Sequence, residues 1–479
     1  MQQLTGLDAA FLALDSPTAY GHVGSASVLD SREGGEALTL DRLTELIESR
    51  LPLVPLFRRR LVEVPFGLDQ PYWIEDPDFD IEFHVRELAL AVPGDDRQLA
   101  VQAARLHARP LDRRRPLWEA YLIHGLHGGR QAIYIKVHHA AIDGVSGNDL
   151  LAALMDTSPE PREADEPDRW RPEAEPRTAL LLARSAASLA TNPVRAVRVW
   201  AGIIRSLPAL ASSPARPWLP LIDRFLLRRD RGVILSAPPL IAPATPFNKN
   251  IGPHRRWAFT SVPLAKVKAI KNAAGVTVND VVMALCAGAL RIWLQKHDAL
   301  PEGPLVASVP VSIRTEEQKG AHGNRVSSVI APLPTHLADP AGRLAAAHEA
   351  MRAAKEQHNA LPAELLTDIA QFSMPALANQ ANRLATRLRL MERVPPFNLI
   401  ISNVPGPTVD LYLGGARLDG VYPLSAIADG QGLNLTVLGS NGKLNFGALA
   451  DRDLVPDVDM IIDALQDELA ALADAVGVS

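Results

Sequence analysis

The chain has 479 residues, of which 47% are hydrophobic and 22% charged, proportions that suit a globular protein large enough for two or more domains with sizeable cores. Its formal charge of −5 argues against a general nucleic-acid binder, which carries a basic excess. The single cysteine, Cys286, excludes an internal disulfide, so nothing requires an oxidising compartment; flanked by Leu285 and Ala287, it reads as an inert core thiol. The opening residues lack the basic and apolar regions of a signal peptide. No stretch reaches the roughly 18 uninterrupted apolar residues of a spanning helix, and a cytoplasmic protein is the expectation.

Residues 1–156 mix helix and strand signals. Leu40, Leu43, Leu46, Ile47 and Leu51 recur at helical spacing behind Thr39, a plausible N-cap. Arg97 to His107 reads as a second helix that stops before Pro110. Ala120–Ile123 and Ala132–Val137 flank His127-Gly128-Gly129-Arg130, a strand, a turn and a strand, and the second strand runs into His138.

Residues 157–245 form the expected connector. Its start, Ser158 to Pro167 and on to Pro176, is rich in proline and acid and predicts a solvated linker. Across 178–232 the pattern turns helical and interrupted by proline. From Arg177 to Leu221 there are arginines but no Asp or Glu. A basic amphipathic helix of this kind either packs on the neighbouring domains or lies on an anionic membrane or lipid-droplet surface. The two readings are compatible.

A second α/β pattern fills 246–479. Thr277 caps a predicted helix to about Lys296, with Asp280 in its first turn. Strands are expected at Leu305–Ile313, Asn398–Ser402 and Leu433–Leu438. The last pairs with Leu444–Leu449 across Asn441-Gly442, a strong hairpin signal. Asp457 to Ala475 is a terminal helix.

The densest chemical signal is His138-His139-Ala140-Ala141-Ile142-Asp143-Gly144. Successive side chains of a strand point to opposite faces, so only one of the two histidines enters any given cleft. Two adjacent histidines and one carboxylate lack the spacing of a zinc site, and no cysteine pair is available. A structural histidine pair is the remaining competitor to a catalytic one.

This motif does not stand alone. With it occur Leu7-Asp8-Ala9-Ala10-Phe11-Leu12, Trp73 to Asp80, Arg115-Pro116-Leu117-Trp118-Glu119, Val278-Asn279-Asp280-Val281-Val282, Val309 to Arg314 and Ser402-Asn403-Val404-Pro405-Gly406-Pro407. In this order they resemble the bacterial wax ester synthase/diacylglycerol acyltransferase family, particularly its actinobacterial triacylglycerol synthases. That family lies in the superfamily of chloramphenicol acetyltransferase and the condensation domains of peptide synthetases, and the likeness covers nearly the whole chain. One departure is Tyr20-Gly21-His22-Val23-Gly24, where the family more often has Met before the His.

The resemblance implies an α/β fold of two chloramphenicol-acetyltransferase-like domains joined by the helical connector, with the site in a tunnel between them. It implies acyl-CoA as co-substrate, no permanently bound cofactor or metal, and diacylglycerol or a long-chain alcohol as acceptor. His139 is then the general base and His138 its support. Asp143 and Gly144 shape the motif loop, Asp143 pairing with an arginine such as Arg314. Asn279, in the first turn of the Thr277-capped helix, is the candidate donor to the oxyanion. No Ser or Cys nucleophile stands out, so direct transfer is expected. Competing expectations are a specialised hydroxyl acceptor, such as a polyketide, and a non-catalytic lipid-droplet protein of the same fold.

Overall fold

The computed structural model describes residues 1–30, 37–142, 152–162, 170–187, 242–312, 326–359 and 395–478. Strand β1 (Gln2–Gln3) precedes helix α1 (Gly6–Ala13), which Thr5 caps by accepting from the Asp8 backbone N–H at 3.2 Å. After β2 (His22–Asp30), the expected helix behind Thr39 is α2 (Leu40–Arg50), with Leu43, Leu46 and Ile47 buried along one side. Strands β3 (Arg59–Val62) and β4 (Tyr72–Glu75) complete a small antiparallel sheet with β1. A single turn, α3 (Ile81–His84), leads into β5 (Val85–Ala89). Helix α4 (Asp96–His107) starts at a reciprocal capping box of Asp95 and Gln98. Strands β6 (Trp118–His124) and β7 (Gln131–His138) match the predicted pair, and the turn between them carries Gly128 and Gly129 at positive φ.

The stretch expected as a solvated linker is exposed over residues 157–162 and mostly exposed over 171–176, with polar contacts at its margins. Asp156 is buried, accepts from Arg50 Nη2 at 3.0 and 3.2 Å, and exchanges two backbone hydrogen bonds with Tyr412. Glu173 takes the Met1 amino group at 2.7 Å. A segment too polar to supply apolar core is attached through charge pairs and backbone instead. Helix α5 (Thr178–Ala187) opens the basic connector, and Leu181 is buried among Val62, Val64, Tyr72 and Ile74 of the small sheet. Its start packs on the first domain; residues 188–232, with the remaining arginines, lie outside the described residues.

The second half runs β8 (Arg255–Pro263), α6 (Leu264–Ala274), α7 (Val278–Lys296), β9 (Leu305–Ser312), β10 (Val326–Leu333), α8 (Pro340–Asn359), β11 (Leu399–Val404), β12 (Tyr412–Leu413), β13 (Ala416–Leu424), β14 (Leu433–Ser440), β15 (Lys443–Asp451) and α9 (Val458–Ala475). Asn441 and Gly442, both at positive φ, make the expected hairpin between β14 and β15. Among the described helices only α7 is long and apolar enough to cross a membrane. It is buried from Asp280 to Leu290 and packs between α8 and α9, as a core helix hydrophobic on all sides should. Cys286 lies in that core, and burial pushes its thiol up to about 12.

Two six-stranded mixed sheets result. One has the order β10-β9-β11-β14-β15-β8, all from the second half. The other has the order β12-β13-β2-β7-β6-β5, so the second half lends two strands to the first half's sheet. Strand β13 pairs antiparallel with β2 from Arg417 opposite Asp30 to Leu424 opposite Gly24. Where β13 passes the second sheet, Trp257 Nε1 donates to the Pro423 carbonyl at 3.1 Å. A side chain at Gly447 would place its Cβ 1.9 Å from that same oxygen, so only glycine permits the approach.

Candidate active site

Strand β7 ends at His138, and the chain turns at once into a short 3₁₀ segment, His139–Ala141. The break separates the two histidines. His138 is buried; its Nδ1 accepts from the Ala140 backbone N–H at 3.1 Å, so the ring caps the turn. That bond places the ring proton on Nε2, which donates to both oxygens of Asp15 at 3.3 Å.

Asp15 is the hub behind the motif. It also accepts from the Gly21 backbone N–H at 2.6 Å and from Arg113 Nη2 at 2.9 Å. Burial alone would raise its carboxyl, but the hydrogen bond and charge of His138, the Gly21 N–H and Arg113 outweigh it and hold the group at about 2. Gly21 then passes the constraint on, for its carbonyl accepts from the His139 backbone N–H at 2.8 Å. A Cβ at Gly21 would sit 2.9 Å from the Phe11 carbonyl and 3.1 Å from His138 Nε2, so this wall of the site has no room for a side chain.

His139 is half-buried and lies flat on Phe11 of α1, ring centroids 3.9 Å apart and planes 15° from parallel. Burial, with the neighbouring His138 second, pushes its pKa down to about 4, and a hydrogen bond from the ring to its own backbone carbonyl only partly offsets this. At neutral pH the ring is therefore uncharged. An uncharged imidazole has one nitrogen that bears no proton, and that nitrogen is the chemical means by which such a ring accepts one.

The loop before β6 backs this arrangement. The Leu117 carbonyl accepts from the His138 N–H at 2.9 Å, and Arg113 also bonds the Leu12 carbonyl at 2.6 Å, tying the loop to α1. Trp118 is stacked between Phe57 and His84 at 4.5 Å from each and donates to the Phe57 carbonyl. These contacts make Trp118 a packing residue of the loop and the small sheet's flank. His22, at the departure from the family pattern, is buried and pairs in register with His138; its Nε2 lies 2.7 Å from the His107 carbonyl.

In the second half, Thr277 and Asp280 form the capping box that starts α7, and Asp280 further takes His348 Nδ1 at 2.8 Å. That leaves the cap to those two residues. Asn279, between them, is half-buried, and its Oδ1 accepts from Asn403 Nδ2 at 3.3 Å, which turns its own amide N–H groups away from that contact. Asn403 is the penultimate residue of β11, ahead of the Pro405-Gly406-Pro407 segment, where a Cβ at Gly406 would fall 1.7 Å from the Gly439 carbonyl. The two expected pair members of the motif loop, Asp143 and Arg314, lie outside the described residues, as does Gly144. Among the described residues no group of three or more His, Cys, Asp or Glu could hold a metal.

Three site residues escaped the reading of the sequence: Asp15, Arg113 and Phe11. Phe11 sits inside Leu7–Leu12, a segment already singled out, but nothing in its spacing aims it at His139. Asp15 and Arg113 lie 123 and 25 positions from His138, and only the fold joins them.

Known proteins place this geometry. The model of the wax ester synthase/diacylglycerol acyltransferase catalytic domain matches residues 4–282, and that of the corresponding C-terminal domain matches residues 322–473. A protein of Mycobacterium tuberculosis (strain ATCC 25618 / H37Rv) named as a probable diacylglycerol O-acyltransferase is 39% identical over 472 residues, 98% of each chain. The solved wax ester synthase/diacylglycerol acyltransferase from Marinobacter aquaeolei VT8 superposes with a TM-score of 0.69 at 31% identity, covering 100% of both chains. The starter condensation domain of rhizomide synthetase, solved with C8-CoA, shares the fold at 14% identity and a TM-score of 0.54, covering 99% of this chain and 95% of its own. The expected pair of chloramphenicol-acetyltransferase-like α/β units is thus the architecture of this protein. Matched by both family models and along nearly its whole length by named relatives, the chain belongs to the wax ester synthase/diacylglycerol acyltransferase family.

Proposed function

We propose that this acyltransferase moves a long-chain acyl group from acyl-CoA to the hydroxyl of diacylglycerol or a fatty alcohol, with His139 as general base. The observation that carries the role is the state of His139: uncharged at neutral pH, its ring laid on Phe11 and its backbone held by the Gly21 carbonyl at the end of β7. An alcohol is too weakly acidic to ionise near neutrality, so its proton must leave as the C–O bond forms. His139 takes that proton while the hydroxyl oxygen attacks the thioester carbonyl. The tetrahedral oxyanion collapses, the C–S bond breaks, and the departing thiolate takes the proton back from the imidazolium. The products are the ester and free CoA.

His138 and Asp15 are positioning residues in this scheme, because each acts on the loop rather than on the reacting atoms. Asn279 supplies an N–H to the oxyanion, aided by the positive end of α7. Asp143 and Gly144 hold the motif turn. Acyl-CoA enters and leaves as a co-substrate, and the residues present need no resident cofactor for any step. The protein works in the cytoplasm, its basic connector resting on the inner membrane or a lipid droplet where both acceptors dissolve. The support for that placement is the run of arginines without acids from Arg177 to Leu221.

The test is CoA release from palmitoyl-CoA with hexadecanol or a diacylglycerol as acceptor, and products identified by mass. His139→Ala should lower turnover by a factor of about 10² or more with the circular dichroism spectrum unchanged. Near-normal CoA release from that variant would refute the assignment.

A further inference from the structure

Away from the motif, the two halves leave a cavity of about 210 Å³ between one face of α4 and the first residues of β8. That is far above the roughly 10–15 Å³ that one water needs. Its floor is Ala100, Ala104 and Ala108, one residue per helical turn, which keeps side-chain bulk off this face of α4. Around the floor stand Arg97 and Arg105 from α4, Arg255 and Arg256 from β8, and Arg452 just past β15. One carboxylate, Asp459, lines it with them. Five guanidinium groups gathered against one acid is the reverse of the chain's net charge of −5.

Among the described residues one of these arginines forms an ion pair, Arg452 with Asp453 at 3.3 Å; the other four do not. Arg255 is buried and held by main-chain oxygens: those of Gly252 at 2.7 Å and His254 at 3.2 Å, and that of Thr18 across the domain junction. Arg256 keeps a buried Nε with no hydrogen-bond partner. Among the described residues, neither Arg97 nor Arg105 forms an ion pair, although α9 carries Asp463 and Asp467 beside the adjoining, more open groove. Four guanidinium groups without an ion pair, one of them fixed rigidly, form a receptor for an anion. The planar fork of guanidinium favours phosphate oxygens, which can take two parallel N–H bonds from each group.

A chain of contacts links the cavity to the motif. Ala108 directly follows His107, whose carbonyl takes His22, and His22 pairs with His138. We infer that this arginine cavity binds a phosphate-bearing ligand, either the nucleotide phosphates of acyl-CoA or the headgroup of an anionic phospholipid. The first source rests on the acyl-CoA chemistry proposed above; the second does not.

Two probes separate the sources: 3′,5′-ADP followed by calorimetry, and sedimentation with phosphatidylcholine vesicles with or without phosphatidylglycerol. Arg256→Gln and the double variant Arg97→Gln/Arg105→Gln are compared with the wild-type protein. Arg97 and Arg105 are exposed, so the double variant keeps the fold even if Arg256→Gln does not. A nucleotide site predicts that both changes weaken 3′,5′-ADP binding about tenfold or more and raise KM for palmitoyl-CoA to match. A headgroup site predicts instead a comparable loss of phosphatidylglycerol-dependent sedimentation. Wild-type protein that binds neither probe, or variants that bind both within twofold of wild type, would overturn the inference. Product formation by the wild type is read separately, so a failed acyl-transfer reading shows there and leaves the binding measurements to decide this one.

Discussion

Replacing Asp15 by asparagine keeps the size of the side chain and removes the one charge shared by His138, Gly21 and Arg113. The carboxyl is held at about 2 against an ordinary 3.8, and that gap of nearly two units corresponds to about 2.4 kcal/mol favouring the ionised, bonded form. Because the folded value is depressed, this stability is fully present above pH 3.8 and lost as pH falls through 2. Arg113 is 38% exposed, so solvent screens its share, and the expected loss at pH 7 is nearer 2 kcal/mol. The substituted amide has one acceptor oxygen, where the carboxylate serves three donors. With its oxygen at the Oδ2 position the Gly21 N–H loses its partner, and at the Oδ1 position Arg113 does; Gly21 holds the backbone of His139 and Arg113 the loop before β6. Displacing a base by a fraction of its hydrogen-bond length costs catalysis steeply, so kcat for CoA release should fall about 10- to 100-fold with KM little changed. Steady-state kinetics and urea unfolding of Asp15→Asn measure both effects. A kcat within twofold of wild type, at an unchanged urea midpoint, would refute the view that Asp15 positions the motif.

The free enzyme's kcat/KM should stay level from pH 7 down to about 5 and be half lost near pH 4, where His139 takes a proton; an acid limb centred at 6.5 would contradict the buried state described. Phe11→Ala opens one face of that ring to water, so the acid limb should move upward toward 6.5, as a pH–rate profile of the variant will show. Asn279→Asp keeps the shape but replaces the N–H donors with charge, and kcat should drop by about 10² with the thermal midpoint preserved; an active variant would remove Asn279 from the mechanism. His84 is held at about 4, chiefly by burial, and His22 and His107 are held below 6.5 for the same reason. The unfolded chain binds more protons below pH 6.5, so stability falls as pH drops from 6.5 through 4, His84 alone contributing about 3 kcal/mol of the loss. Urea midpoints that stay constant between pH 7 and 4.5 would refute this.

Local signals carried the element reading a long way. Thr39, Thr277 and the Asn441-Gly442 turn act through hydrogen bonds and dihedral preferences within a few residues, and the structure places α2, α7 and the β14–β15 hairpin where they indicate. The pairing of His138 and His139 was legible, and the resemblance implied which is base and which support, but the separate surroundings of the two rings were not. Those depend on a break in the strand which points one ring at Asp15 and lays the other on Phe11. The polar stretch after Asp156 is exposed in most of its described residues, as its composition indicates; what composition does not report is that Arg50 and Tyr412, far off in sequence, hold Asp156 at its start. Strand β13 was invisible for the same reason: its partner β2 lies almost 400 positions earlier, and no periodicity registers a neighbour at that distance.

That late strand bears on how the protein is made. During synthesis the first-half sheet stays unfinished, with the edge of β2 unpaired, until the ribosome has passed Leu424. At roughly 5–20 residues per second, the wait from Asp30 onward is on the order of tens of seconds. Through that interval an apolar strand edge next to the His138-His139 motif is open to mispairing with another chain. A truncation before Ala416 should leave that edge permanently exposed, and the yield of soluble protein from such fragments is set by β13 before it is set by either core.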